Sequence, residues 1–353
     1  MGCIFFDNIV LVQYRQLMTQ QILVTGGLGY IGSHTVVELI DAGYTPVIAD
    51  NLVNTNRDVL TNLEHICGKK IDFHEVDVTD SNSVKYLFDT HDFSAVIHFA
   101  ALKAVGESVT KPLAYYRNNL DSLFTILEQM DKSNVHQIIF SSSATVYGDP
   151  EMLPITENAR LSTTNPYGST KLMAEMILRD WLKTNAQNAA GILRYFNPIG
   201  AHESGLIGEN PNGIPNNLLP YIAQVASGVR EKVSVFGGDY ETVDGTGVRD
   251  YVHVVDLAQG HVAALNYIEK NSGELTVNLG TGQGYSVMQM IQAFSTACGH
   301  DLAYEIGPRR PGDIAACYAD PTKAQNLLGW KAQKNLEDMC HDAWKWQQNI
   351  PTK

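Results

Sequence analysis

In the stretch Ile22-Leu23-Val24-Thr25-Gly26-Gly27-Leu28-Gly29-Tyr30-Ile31-Gly32-Ser33, a short apolar strand runs through closely spaced glycines into a helix. Gly26, Gly29 and Gly32 have the spacing of a phosphate-cradling turn. Without Cβ atoms, such a turn lets backbone N–H groups approach a pyrophosphate, and the helix N-terminus adds a favourable dipole. Asp50 ends the next apolar run, Pro46 to Ala49, about twenty residues on, where a carboxylate accepts hydrogen bonds from a ribose diol. It would repel a 2′-phosphate, which favours NAD over NADP. Asp77 closes a third strand, Ile71 to Val76, at the place where an adenine edge would lie.

Beyond this turn, strand and helix alternate. Ser33 to Ala42 reads as a helix ended by Gly43. The strand Ala95 to Phe99, a long helix from about Leu113 to Met130 and the strand Gln137 to Ser141 follow. Strands spaced by helices imply right-handed βαβ units and a parallel sheet buried on both faces. The expected class is α/β: a Rossmann-type doubly wound parallel sheet with a smaller C-terminal substrate-binding lobe. Residues 18–196 form the nucleotide-binding part and 197–353 the second lobe, where Gly and Pro become frequent. The segment from about 250 to 280 is expected to return to the sheet. Met1 to Leu17, ahead of Met18, reads as a non-functional extension without signal-peptide or myristoylation features.

At 353 residues the chain can bury a large core in two lobes, and its net charge of −13 argues against nucleic-acid or anionic-membrane partners. Five scattered cysteines, with no CxxC or His/Cys metal spacing, fit a reduced cytoplasmic setting and no metal. No apolar run reaches transmembrane length.

A second segment, Tyr167-Gly168-Ser169-Thr170-Lys171, puts a phenol and an ammonium on one helix face. Positive charge stabilises phenolate, so Tyr167 is the expected base, with Lys171 holding the cofactor ribose and lowering the phenol's pKa. Ser143, at a strand end in Ser141-Ser142-Ser143-Ala144-Thr145, is the third catalytic candidate. After a nucleotide turn, this set points to hydride chemistry on a hydroxyl-bearing substrate.

These segments, together with His98 to Ser108, Ser141 to Gly148, Asn165 to Lys171, Arg194 to Pro198, Ile214 to Leu218, Gly245 to Tyr251 and Pro308 to Asp313, resemble the UDP-hexose 4-epimerases of the extended short-chain dehydrogenase/reductase family. The likeness runs from about Gln21 to about Gln348. It implies that bound NAD serves interconversion of UDP-galactose and UDP-glucose at C4 through a 4-keto sugar. It also implies that Gly26, Gly29, Tyr30, Ile31, Gly32, Asp50, Asn51, Asn54, Thr55, Asp77, Val78, Phe99, Ala100, Lys103, Asn118 and Phe196 contact NAD, as do Ser143, Tyr167 and Lys171. The UDP-sugar would meet Ser143, Tyr167, Asn197, Asn217, Leu218, Ser234, Phe236, Arg249, Tyr251, Arg310, Asp313 and Cys317.

Within this set, Arg249 and Arg310 supply forked donors for a diphosphate. Cys317 stands at a sugar-pocket position where some members carry Tyr, which leaves room for an N-acetyl group and implies UDP-GalNAc and UDP-GlcNAc as further substrates. The alternatives are a sugar-nucleotide 4,6-dehydratase or decarboxylase, disfavoured by Thr145 where those enzymes carry an acidic residue, and a non-catalytic NAD sensor. Family members commonly form homodimers through helices, for which Leu113 to Met130 and Lys171 to Leu182 are candidates.

Overall fold

In a computed structural model, residues 20–211, 213, 215, 217–310 and 313–350 are described. The extension Met1 to Leu17 lies outside them. The strands are β1 (Gln21–Thr25), β2 (Thr45–Asp50), β3 (Asp72–Glu75), β4 (Phe93–His98), β5 (Gln137–Ser143), β6 (Ala189–Tyr195), β7 (Asn197–Ile199), β8 (Val233–Phe236), β9 (Val248–His253), β10 (Gly273–Leu279), β11 (Gly284–Ser286), β12 (Tyr304–Gly307) and β13 (Ala316–Cys317).

Seven of them form one sheet in the order β10-β6-β5-β4-β1-β2-β3, and every pairing in it is parallel. Both faces are buried, and β1 shows why. Ile22 and Val24 point into one apolar cluster with Val36, Leu39, Ile97 and Leu265, while Leu23 points into another with Val84, Leu123, Ile138 and Leu178. A strand covered on both sides therefore reads as an unbroken apolar run instead of alternating. Helices Tyr30–Asp41 and Val254–Ile268 cover the first face. Helices Ser81–Thr90, Pro112–Lys132 and Pro166–Leu182 cover the second.

The chain returns to the sheet late. Strand β10 pairs with β6 along its length, from Gly273↔Ala189 to Leu279↔Tyr195. Helix Val254–Ile268 packs on Tyr30–Asp41. The expected segment from about 250 to 280 divides: Val248–His253 is strand β9, in a small sheet with β11, β13 and β7, Val254–Ile268 is helical, and β10 joins the main sheet. His253 makes the break, its ring accepting from the Val255 N–H as an N-cap. The second lobe packs around helices Leu218–Ala226, Val287–Cys298 and Leu336–Asn349, whose core includes Ile222, Phe294 and Met339.

Strand order reverses between β1 and β4, and in such sheets ligands bind in the crevice beyond the strand ends at that point. The glycine turn after β1 and the segment Phe99 to Lys103 after β4 meet there.

Candidate active site

The turn is shaped by close backbone approach. Gly26 has φ of 69°, and a Cβ on it would lie 2.9 Å from the Ala100 backbone N. A Cβ on Gly32 would lie 2.2 Å from the Gly26 carbonyl oxygen. Helix Tyr30–Asp41 begins ahead of the expected Ser33, directly from the glycine turn. Its N-cap is Gly29, without a side-chain cap bond and with no acidic residue in the first turn. The N–H groups of that turn face the crevice uncapped, a donor set that fits a pyrophosphate.

Asp50 is buried at the end of β2, where its carboxylate accepts from the Leu28 N–H at 3.1 Å and the Leu52 N–H at 2.9 Å. Each oxygen keeps a lone pair for a ribose hydroxyl. Thr55 ties its loop back by donating to the Leu28 carbonyl at 2.7 Å. Asn51 and Asn54 are exposed on that loop. Asp77 lies two residues beyond the end of β3, not within it. It is exposed and accepts from the Thr79 N–H and hydroxyl, a tight turn that strand pairing would forbid. Val78 is buried. Ile31 packs against the sheet core, and the Tyr30 hydroxyl donates to the Gly200 carbonyl at 2.8 Å.

The three catalytic candidates converge from two elements. Asn165 caps helix Pro166–Leu182 by accepting from the Gly168 N–H at 2.9 Å, and Pro166 occupies the first helical position. Tyr167 and Lys171 follow on one face. The Lys171 ammonium, buried, donates to the Ser141 carbonyl at 2.7 Å and lies 5.9 Å from the centroid of the Tyr167 ring. The Ser143 hydroxyl accepts from the Thr145 N–H at 3.2 Å and hydroxyl at 3.0 Å, and it faces the Tyr167 phenol, whose pKa it lowers.

Burial pushes the Tyr167 phenol up to about 12, with the Ser143 hydrogen bond pulling the other way. Burial also brings the Lys171 ammonium down to about 7, and it donates to the neutral Ser141 carbonyl.

Across the crevice, β9 organises the second set. Arg249 lies opposite Cys317 of β13, and Tyr251 lies opposite Asn197 of β7. Arg249 donates to the Val248 and Ile314 carbonyls, both at 2.9 Å, and approaches Asp313 at 3.8 Å. The Arg310 guanidinium sits 3.7 Å over the Phe236 ring. Phe236 and Ser234 share the outward face of β8. Cys317 packs in the cluster that holds Phe196, Val146 and Tyr147. Leu218 packs at the edge of the second-lobe core, and Asn217 donates to Glu209 at 2.7 Å. Asn118 turns to its neighbour Asn119, at 3.0 Å.

Residues 23–343 match the family described as GDP-mannose 4,6 dehydratase. A UDP-glucose 4-epimerase of Bacillus subtilis is 57% identical over 326 residues, covering 92% of this chain and 96% of its own. The crystal structure of UDP-glucose 4-epimerase from Bifidobacterium longum, in complex with NAD+ and UDP, is 52% identical with a TM-score of 0.91. That match covers 94% of this chain and 99% of the other. This chain belongs to the UDP-glucose 4-epimerases. The UDP-Glc/GlcNAc 4-epimerase of Campylobacter jejuni is also similar, at 37% identity and a TM-score of 0.82, over 94% of this chain and all of the other.

Identity above one half with epimerases outweighs the dehydratase reading that the broader family description leaves open. The local chemistry agrees: Thr145 spends its hydroxyl on Ser143 and offers the epimerase no acidic group there.

Three residues escaped the sequence reading. Glu175 continues the spacing of 167 and 171 by one more turn. It accepts from Ser142 at 2.7 Å and from buried Arg194 through two bonds of 2.9 and 2.6 Å. Although burial pushes its carboxyl up, Arg194 holds it below its ordinary value. Asn119 joins the Leu102 backbone to Thr170 beside the Tyr-Lys face, at 3.1 and 3.0 Å. Glu209 receives both Lys103, at 3.1 Å, and Asn217. The spacing could have found Glu175, whereas nothing local marks Glu209 in its glycine-rich loop.

Proposed function

We propose that this epimerase interconverts UDP-galactose and UDP-glucose by inverting C4 of the hexose, with NAD held in the crevice between β1 and β4. The single observation that carries the reading is the convergence of Ser143, Tyr167 and Lys171 beside an uncapped glycine turn closed by Asp50. The residues fit the dinucleotide: backbone N–H groups of the turn for the pyrophosphate, Asp50 and Lys171 for the two riboses, and Lys103 for a phosphate. The chemistry that NAD supplies when bound is reversible hydride exchange at C4, by way of a 4-keto sugar.

The chain's own residues manage the proton and the pose. Tyr167 takes the proton of the 4-hydroxyl as C4 is oxidised and returns it when the other face is reduced. Ser143 bridges the phenol and the sugar hydroxyl. A phenol near 12 is a poor base at neutral pH, so the site reaches full basicity only as positive charge enters beside it. Arg249, Arg310, Asn217 and Phe236 hold the UDP moiety, so that the hexose can present either face while the remote group stays fixed. Cys317, smaller than Tyr, leaves space for a 2-acetamido group, which supports UDP-GlcNAc and UDP-GalNAc as further substrates.

We infer also that the epimerase is a cytoplasmic homodimer. Support comes from exposed Leu113, Phe124, Met173 and Met176 on two adjacent helices, and from the free cysteines Cys67, Cys298, Cys317 and Cys340. No helix among the described residues is long and apolar enough to cross a membrane.

The test incubates the purified chain with UDP-galactose and no added NAD. The expected product is UDP-glucose, with no net NADH and no loss of water or carbon dioxide. A dehydrated product, or none at all after NAD is supplied, overturns the reading. Sedimentation of the same sample at twice the monomer mass is the expected result for the dimer.

A further inference from the structure

At the free edge of the main sheet, three side chains from two elements turn their ligand atoms toward one another. Asp72 and His74 lie two apart on β3, so they share one face of the strand, and His91 follows the last turn of helix Ser81–Thr90. One ligand atom from each falls within 4.8 Å of the other two. The His91 Nε2 is 3.1 Å from one Asp72 oxygen, and the His74 Nε2 is 3.3 Å from the other. A tetrahedral ion with ligands at about 2.1 Å holds them about 3.4 Å apart, so this spacing needs little adjustment.

The hydrogen bonds around the cluster set the tautomer. The His91 Nδ1 faces two acceptors: the Leu87 carbonyl at 3.1 Å, and the Thr90 oxygen at 3.0 Å, whose own proton goes to the Tyr86 carbonyl at 2.8 Å. Nδ1 therefore carries a proton, which turns Nε2 toward the Asp72 carboxylate at 3.1 Å. Metal-binding imidazoles are fixed in this way, by giving the other N–H to a backbone carbonyl. The His74 Nε2 is buried without a hydrogen-bond partner, although a carboxylate oxygen stands beside it. His91 is further held by stacking on Phe93, with ring centroids 5.2 Å apart and planes within 10°. The two imidazoles meet edge to face at 5.1 Å and 88°. Two imidazole nitrogens and a carboxylate thus converge on one point, the mixed donor set that a borderline cation takes up.

We propose that Asp72, His74 and His91 form a structural site for a borderline divalent metal, with Zn²⁺ the best match and water in the fourth position. Two imidazoles and one carboxylate suit zinc better than Mg²⁺ or Ca²⁺, which prefer all-oxygen shells. The site lies apart from the catalytic residues. It staples edge strand β3 to the end of the helix that follows it, bracketing the loop with Asp77 and Val78. This departs from the sequence expectation of no metal. The Asp-x-His pair on β3 has no third ligand nearby in sequence, and only the helix end brings His91 to it.

The experiment uses the full chain, stripped with a chelator and titrated with Zn²⁺ against a chromophoric competitor, beside His74→Gln and His91→Gln. The expected result is one equivalent bound with a Kd near or below about 10⁻⁶ M, weakened roughly tenfold or more in each variant. Zinc at a hundredfold excess over Kd should raise the thermal midpoint of wild type by about 4 °C and leave His91→Gln unmoved. Both variants keep epimerase activity, which reports their folding. Equal zinc binding by wild type and variants, as cysteines elsewhere would give, overturns the site. So does the absence of a zinc-dependent shift in wild type, which would leave the cluster a pair of His–Asp contacts.

Discussion

The two sides of the crevice are built differently. The nucleotide side is made of backbone: a glycine turn, a helix end and main-chain carbonyls, with Asp50, Ser143 and Lys171 buried among them. The side proposed for the UDP-sugar is made of side chains carried by β7, β8, β9, β13 and the loops beside them, and Arg310 and Asn217 are exposed. Backbone positions are locked by the core beneath, so a change on the nucleotide side should act on chemistry or folding. Exposed side chains give affinity and selectivity, so a change on the sugar side should act on KM or on substrate choice. Glu209 joins the two sides, holding Lys103 from one and Asn217 from the other.

The largest effect is expected at Tyr167. Tyr167→Phe removes the proton acceptor and keeps the buried ring, so kcat should fall by about 10²–10⁴-fold. NAD content and UDP affinity should hold, as read by absorbance and calorimetry. A kcat within roughly threefold of wild type would remove Tyr167 from the base role and break the division between the two sides.

Next comes substrate choice. Cys317→Tyr adds a ring where Cys317 meets Phe196 and Val146, and crowding of that kind costs about 1–3 kcal/mol, or roughly 5- to 150-fold. The loss should fall on kcat/KM for UDP-GalNAc and spare UDP-galactose. Equal losses on both would show a general disturbance of the pocket, and undiminished use of UDP-GalNAc would show that Cys317 does not line it.

A smaller effect belongs to Arg310, exposed above Phe236. Arg310→Met should raise KM for UDP-galactose about tenfold, through lost charge-assisted bonds, with kcat nearly unchanged. A drop in kcat at constant KM would move Arg310 from holding the substrate to the chemical step.

The same division explains what was legible in the sequence. The fold and the nucleotide side depend on short, local patterns: an apolar run, Gly26 to Gly32, Asp50 at a strand end, and Tyr167 four residues before Lys171. Each is a neighbourhood in sequence as well as in space. The sugar side is assembled from segments far apart in the chain, and it was reached through family resemblance. Physical reading alone did not pair Cys317 with Arg249, because their contact comes from β13–β9 register. The helix expected from Ser33 begins at Tyr30, and the helix within the expected 250–280 segment begins only where His253 caps it. The raised Tyr167 phenol was not legible either. Spacing shows that an ammonium is near but not that burial has already weakened it.

That weakened ammonium gives the smallest and most specific test. Lys171 has its pKa lowered by burial from 10.5 to about 7. In the unfolded chain it stays protonated up to its ordinary value, so between about 7 and 10.5 the unfolded state binds more protons and stability rises with pH. Below about 7 both states are protonated, and the fold carries the whole cost of a desolvated charge. Lys171→Met removes that cost while keeping most of the side-chain volume. In nucleotide-free protein the variant should therefore exceed wild type in thermal midpoint by about 2–4 °C at pH 6. The gap should shrink steadily as pH rises toward 10. Parallel profiles across that range would show that the ammonium is solvated or paired in the folded state. The desolvated charge beneath the nucleotide side would then no longer set it apart from the sugar side.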